Sequence, residues 1–110
     1  MNVDAIIIGG GACGLMCAVQ AGFLGKKVII LEKNDKPGAK ILISGGGRCN
    51  FTNQYATTEQ FISANPHFLK STFNQWTVED TISFFETYGI VGKDKTLGQM
   101  VPEEINARDI

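Results

Sequence analysis

Residues 3–14, VDAIIIGGGACG, run six largely β-branched positions into a glycine cluster. Val3–Ile8 stops abruptly at Gly9, which predicts a buried strand of roughly 20 Å at about 3.3 Å per residue. From Cys13 to about Leu24 the chain reads CGLMCAVQAGFL, apolar nearly all round, as a helix packed on a sheet would be. At about 1.5 Å per residue it runs roughly 18 Å, enough to return along the strand. Gly25 is placed to stop it. Residues 26–32, KKVIILE, supply a second strand. The sum is a β-α-β unit with a right-handed crossover.

In that frame Gly9, Gly11 and Gly14 form G-x-G-x-x-G at the strand-to-helix turn, with Ala12 and Cys13 between them. The first glycine permits the tight turn. The second lets a pyrophosphate approach the main chain, and the third lets helix and strand pack closely. The helix N-terminus offers N–H groups and about half a positive charge to phosphate. Glu32, at the end of the second strand, is placed to accept hydrogen bonds from the adenosine ribose. Its charge repels a 2′-phosphate, so the site is expected to take FAD or NAD rather than NADP. Chance glycine turns are common, but here strand, helix, strand and terminal acid fall in register.

A second cluster, KILISGGGRCNFTN (Lys40–Asn53), follows the polar turn KNDKPGAK. An ordinary NAD domain would start its next crossover helix near here. This chain is expected instead to form a second loop that exposes its backbone, with Arg48 able to contact phosphate or a flavin carbonyl.

These residues resemble a family of bacterial flavoproteins, the BaiN-like or aminoacetone-oxidase-like FAD-binding enzymes. Their pattern, DxIIIGGGxAG…VxLLEKNxxxGrKxxxSGGGRCNxTN, is met nearly throughout. Ala39 stands where arginine is common, and Cys13-Gly14 where alanine-glycine is frequent. Further on, TLGQMVPEEINARDI is similar to the family's GrxFPxxxkAxdV, with Gln99 in the arginine position. The resemblance implies that Gly9–Gly14 holds the FAD pyrophosphate and Glu32 its ribose. It implies Lys33 and Lys40 on the adenosine and phosphate side. Ser44, Gly45, Gly46, Gly47, Arg48, Cys49 and Asn50 would form the loop near the isoalloxazine. Two glycine clusters thus grip different parts of one extended cofactor.

The fold class expected is α/β: a Rossmann-type β-α-β unit with its flavin loops over residues 1–53. A helical segment, short strands and the start of a further helix follow over 54–110. The whole reads as the N-terminal part of an FAD-binding domain in a larger protein. The apolar strands AIII and VIIL then call for neighbours and for helices on both faces.

Composition agrees with a globular chain, 44% hydrophobic and 19% charged. A net charge of −1 gives no electrostatic footprint for nucleic acid. Residues 5–25 carry no charge, yet six are glycine and Asp4 precedes them, so neither a membrane span nor a signal peptide is expected. Cys13, Cys17 and Cys49 lack metal-ligand spacing, and His67 is the one histidine. Buried free thiols in a reducing cytoplasm are expected, with no metal site. Cys49 has no second cysteine a few residues away, which favours a packing thiol over a redox partner of flavin.

Downstream, Thr57-Thr58-Glu59-Gln60 fits a capping box for a short helix ended by Asn65-Pro66. Asn65 is expected to cap a second helix carrying Phe68, Leu69 and Phe73. Thr77 and Asp80 cap a third, with Val78, Ile82 and Phe85 on one face and Gly89 as its stop. GIVGKDKTLGQMV reads as two strands around Lys93-Asp94-Lys95, and EEINARDI as the approach to another helix. His67 and Trp76 read as a cap neighbour and a packing anchor.

The function expected of the whole protein is FAD-dependent oxidoreduction of a small-molecule substrate, with NAD(P)H as a possible electron donor. No residue has the context of a general base or nucleophile, so no catalytic side chain is assigned, and the oligomeric state stays open. The alternatives are a tRNA-modifying flavoprotein and a non-catalytic nucleotide-binding module.

Overall fold

The computed structural model describes residues 1–103 and 106–110, and the chain divides into two compact units, Met1–Ile43 and Ser44–Ile110.

The first unit is the β-α-β element that its sequence predicts. Strand β1 (Ala5–Ile8) and strand β2 (Val28–Leu31) pair in parallel, Ala5 opposite Val28 through Ile8 opposite Leu31. Helix α1 (Ala12–Phe23) connects them and packs on both. Leu24 caps its end, and Gly25 follows at φ 71°, a conformation open to glycine without strain. Both strands are shorter than expected. Asp4 ends the first by leaving the ladder: its carboxylate accepts from Lys27 N–H at 2.8 Å, while its own N–H donates to Lys27 O. A five-residue helix α2 (Ala39–Ile43) closes the unit where a loop was expected. Gly38, at φ 74°, starts it, donating to Gly10 O and accepting from Leu42 N–H.

Ile6 and Ile8 remain 59% and 80% exposed, so these strands carry the composition of sheet interior without its burial. Cys13 and Cys17 are also exposed, contrary to the burial expected of them. They lie one turn apart on α1, whose half-buried positions are Gly14, Leu15, Met16, Ala18, Gln20 and Ala21.

The second unit is built on an antiparallel sheet of order β3-β5-β4. Its strands are β3 (Thr52–Asn53), β4 (Gly92–Asp94) and β5 (Gln99–Pro102). Central β5 carries the core: Met100, Val101 and Pro102 are buried, together with Cys49 and Ala107. Gly92 is required here by packing, since an added Cβ would stand 2.8 Å from Phe51 Cζ and 3.1 Å from Met100 Cε.

Helix α3 (Lys70–Gln75) begins later than expected. Asn65 does cap the chain, its Oδ1 accepting from His67 N–H at 3.0 Å. The next residues close tighter i→i+3 turns (Phe68 to Asn65, Lys70 to His67) before the α-helix starts. Helix α4 (Val78–Thr87) has the capping box expected: Asp80 N–H donates to Thr77 Oγ1 at 3.1 Å, and Thr77 N–H to Asp80 Oδ2 at 2.8 Å. Its Phe85 stacks on Phe51 at 4.9 Å, and Phe84 reaches Tyr88, Phe85 and Trp76. The Trp76 indole N–H donates to Thr81 Oγ1.

The Thr57–Gln60 box forms, but over one 3₁₀ turn, Thr58–Gln60. The final helical approach is likewise one 3₁₀ turn, Ala107–Asp109, capped by Asn106; Glu104 and Ile105 lie outside the described residues. No helix of the described residues is long and apolar enough to cross a membrane.

Candidate functional site

In the first unit the ladder carries one bond beyond β1, Gly9 N–H to Leu31 O at 2.8 Å, and the chain then turns. Gly9 takes φ 100°, which a residue with a Cβ rarely adopts. Gly14 serves contact: an added Cβ would overlap the Gly9 carbonyl oxygen, so α1 rests on the turn only because that position is bare. Gly11 differs from both. Its φ of −83° suits any residue, and a Cβ there would meet nothing within 4 Å among the described residues. Space in front of the main chain is therefore open where the sequence places a pyrophosphate. Gly11 caps α1 without a side-chain bond, no acid stands in the first turn, and Ala12 and Cys13 follow exposed. The helix N-terminus keeps its partial positive charge for a ligand.

Glu32 closes the other side. Its Oε2 accepts from Gly10 N–H at 2.6 Å and its Oε1 from Asn34 N–H at 2.9 Å. The amides of Asn34, Gly10 and Lys33 hold this carboxyl below its usual value, against a smaller opposing effect of burial. A carboxylate offers about four acceptor sites, so capacity remains for ribose hydroxyls beside these bonds. Lys33 and Lys40 are exposed, Lys40 on α2. Gly10 and Gly38 are the parts that motif reading missed. The signal for Gly10 was the third glycine of the cluster, which G-x-G-x-x-G leaves unassigned.

The second unit holds Ser44–Asn50. Gly45, Gly46 and Gly47 take φ 56°, 68° and 85° in succession, and Ser44 O accepts from both Gly47 N–H and Cys49 N–H at 3.0 Å. Gly45 has no room for a side chain, with Asn50 N 2.7 Å from where a Cβ would stand. Among the described residues an added Cβ at Gly47 meets nothing within 4 Å, and one at Gly46 meets only Lys95 Nζ at 3.9 Å. Cys49 is buried at φ 58° and Asn50 is exposed. The Arg48 guanidinium turns toward the end of β5, its Nη2 donating to Pro102 O at 3.3 Å and Glu103 O at 3.5 Å. In this arrangement it braces the loop.

The loop's other brace, Lys95, was not foreseen, because its role depends on a hairpin 50 residues away. That hairpin turns over residues 95–98, two residues past the expected turn. Lys93 and Asp94 belong to β4, and the chain reverses where Leu97 and Gly98 take positive φ.

Residues with these properties fit a dinucleotide: a helix end with no side-chain cap, open main chain over glycine, and a carboxylate with acceptor capacity to spare. Comparison with known proteins agrees. Residues 3–110 match the family described as HI0933-like protein Rossmann domain. The chain is 50% identical over 97 residues to a ribosomal RNA dihydrouridine synthase of Escherichia coli, covering 88% of this chain and 24% of that protein. It is 48% identical over 101 residues to the protein of the same name in Haemophilus influenzae, covering 92% and 25%. A 3-dehydro-bile acid delta(4,6)-reductase of Clostridium scindens is 33% identical over 106 residues, covering 94% and 26%. The chain thus spans about a quarter of the length of these curated relatives. It belongs to the HI0933-like family of FAD-dependent Rossmann domains.

Proposed function

We propose that this chain is the FAD-gripping part of an oxidoreductase that reduces a carbon–carbon double bond conjugated to a carbonyl, in the whole protein the uracil ring of ribosomal RNA. The observation that carries the cofactor assignment is Glu32, anionic and fixed by Gly10 N–H at the mouth of an unobstructed glycine turn. FAD, when bound, supplies the hydride-transferring ring. The chain's residues bind and orient it. The start of α1 with Gly11 receives pyrophosphate, Glu32 receives ribose hydroxyls, and Lys33 and Lys40 add positive charge on that side. The resemblance to flavoproteins assigns the Ser44–Asn50 loop to the flavin end. NAD(P)H is the expected electron donor.

The substrate reading is supported by the relatives' names. Dihydrouridine differs from uridine by hydrogen added across the ring double bond next to a carbonyl. A delta(4,6)-reductase of a 3-dehydro bile acid acts on double bonds conjugated to a carbonyl as well. The higher identity of the first two relatives favours RNA over a steroid, and ribosomal over transfer RNA. The near-neutral charge of these 110 residues speaks only for this part of the protein.

The test offers the whole protein, with FAD and either NADH or NADPH, unmodified ribosomal RNA and a 3-oxo-Δ4,6 steroid in parallel. A mass gain of one H₂ on a uridine, with pyridine nucleotide consumed, is expected. Turnover of the steroid alone selects the second substrate. Turnover of neither, by a protein that carries flavin, overturns the reaction class.

A further inference from the structure

We propose that Lys95 is a cofactor-site residue: seated on the Gly45 carbonyl, its ammonium presents positive charge from the glycine loop to the electron-rich end of the flavin. The proposal rests on the reading of Ser44–Asn50 as the flavin loop.

An exposed lysine usually keeps its head in water. This one donates to Gly45 O at 3.1 Å across 50 residues. An ammonium carries three donors, and Gly45 takes one. The ammonium stands beside Gly46, where an added Cβ would find Nζ at 3.9 Å and no other atom of the described residues within 4 Å. Among the described residues, this cation alone stands on that side of Gly46.

The hairpin that carries Lys95 is fixed by packing and by hydrogen bonds together, with Gly98 buried against Tyr55 and Asn53. Lys95 N–H donates to Gln99 O at 2.7 Å. Asp94 accepts from Gly98 N–H at 3.1 Å through Oδ1 and from Gln54 Nε2 at 2.8 Å through Oδ2. Asn53 Nδ2 donates to Leu97 O at 3.1 Å. These bonds keep Leu97 at φ 48°, unfavourable for a residue with a Cβ, while leaving it 85% exposed. The turn is thereby held in one conformation, and the residue at its head is held with it. Lys95 leads the turn.

The plainer role is a surface lysine capping a carbonyl. The two roles separate by measurement, because a positive charge close to the flavin favours its electron-rich reduced form and a distant one does not. The whole protein is loaded with FAD as wild type, Lys95→Met, Lys95→Arg and Lys93→Met. Midpoint potential, visible flavin spectrum and thermal midpoint are read for each. The expected result is about a tenfold loss in the reduction equilibrium for Lys95→Met, about 30 mV for this two-electron couple. Lys95→Arg restores most of it, and Lys93→Met, which removes the same charge from β4, leaves it in place. Should Lys95→Met lose flavin altogether, an unchanged apoprotein thermal midpoint supports the proposal and a collapsed one overturns it. A Lys95→Met potential and spectrum equal to wild type also overturn it. A wild type that holds no flavin instead removes the cofactor assignment beneath it.

Discussion

Gly10 N–H donates to Oε2 of Glu32 at 2.6 Å, joining the turn after β1 to the end of β2 across 22 residues. The bond orients an acid by a main-chain donor that any substitution at Gly10 would disturb, since a Cβ there would stand 2.9 Å from the same oxygen and 3.0 Å from Pro37 Cβ. Strand pairing, the glycine turn and the proposed ribose acceptor are thus one structure.

The Glu32 carboxyl is held below its ordinary value of 4.5, chiefly by the amides of Asn34 and Gly10. A group whose folded value is depressed contributes stability that is present above the unfolded value and lost as pH falls through the folded one. Wild type and Glu32→Gln should therefore differ in thermal midpoint by a constant amount above about pH 4.5 and converge below it. Glu32→Gln should also hold FAD about tenfold more weakly at neutral pH, because charge-assisted bonds are the stronger ones. Thermal scans across pH and an FAD titration check both. A difference that widens on acidification would contradict the sign.

Glycines in α1 should respond in opposite directions. Gly14→Ala sets a methyl against the Gly9 carbonyl and should leave the first unit unfolded or the protein insoluble. Gly22→Ala meets nothing within 4 Å inside the same helix and should stabilise by about 0.5–1 kcal/mol. Denaturant midpoints for the pair check the prediction.

At α4, Thr77→Ala removes the oxygen that receives Asp80 N–H at 3.1 Å. The expected loss is about 1 kcal/mol. It should appear as a lower thermal midpoint with unchanged FAD affinity, since this cap touches no glycine loop.

Local patterns were the most legible part of the sequence. The β-α-β register, the end of α1, the Thr77–Asp80 box and the β4–β5 pair all follow from periodicity, caps and glycine placement within about a dozen residues. The first glycine turn was legible for the same reason. What escaped reading was set by partners distant in sequence. Strand β3 exists because Thr52 meets Met100 and Asn53 meets Gln99, and two residues carry no strand pattern of their own. The hairpin turn shifted because Asp94 binds Gly98 N–H, which favours reversal after Asp94 rather than at it. Cys13 and Cys17 were misjudged because an apolar helix surface says nothing of which face is covered.

That uncovered surface has its own consequence. With Ile6 and Ile8 exposed on β1 and Leu31 on β2, residues 1–110 alone present apolar sheet to solvent. The isolated chain should self-associate and bind FAD weakly or not at all. Sedimentation at rising concentration tests this, and a monomer that unfolds cooperatively and binds FAD as tightly as the whole protein would refute it.

The most direct test of the account is the flavin content of the whole protein as wild type and as Gly11→Val. Gly11 is the one glycine of the G-x-G-x-x-G turn that takes an ordinary negative φ and faces open space, so the substitution should cost only about 1 kcal/mol at the helix cap while filling the ligand's place. The predicted result is a yellow wild type with one FAD per chain, and a colourless Gly11→Val that unfolds within a few degrees of the wild-type apoprotein. A wild type that cannot be reconstituted with FAD, or a Gly11→Val that retains it, would contradict the claim that this turn grips the cofactor.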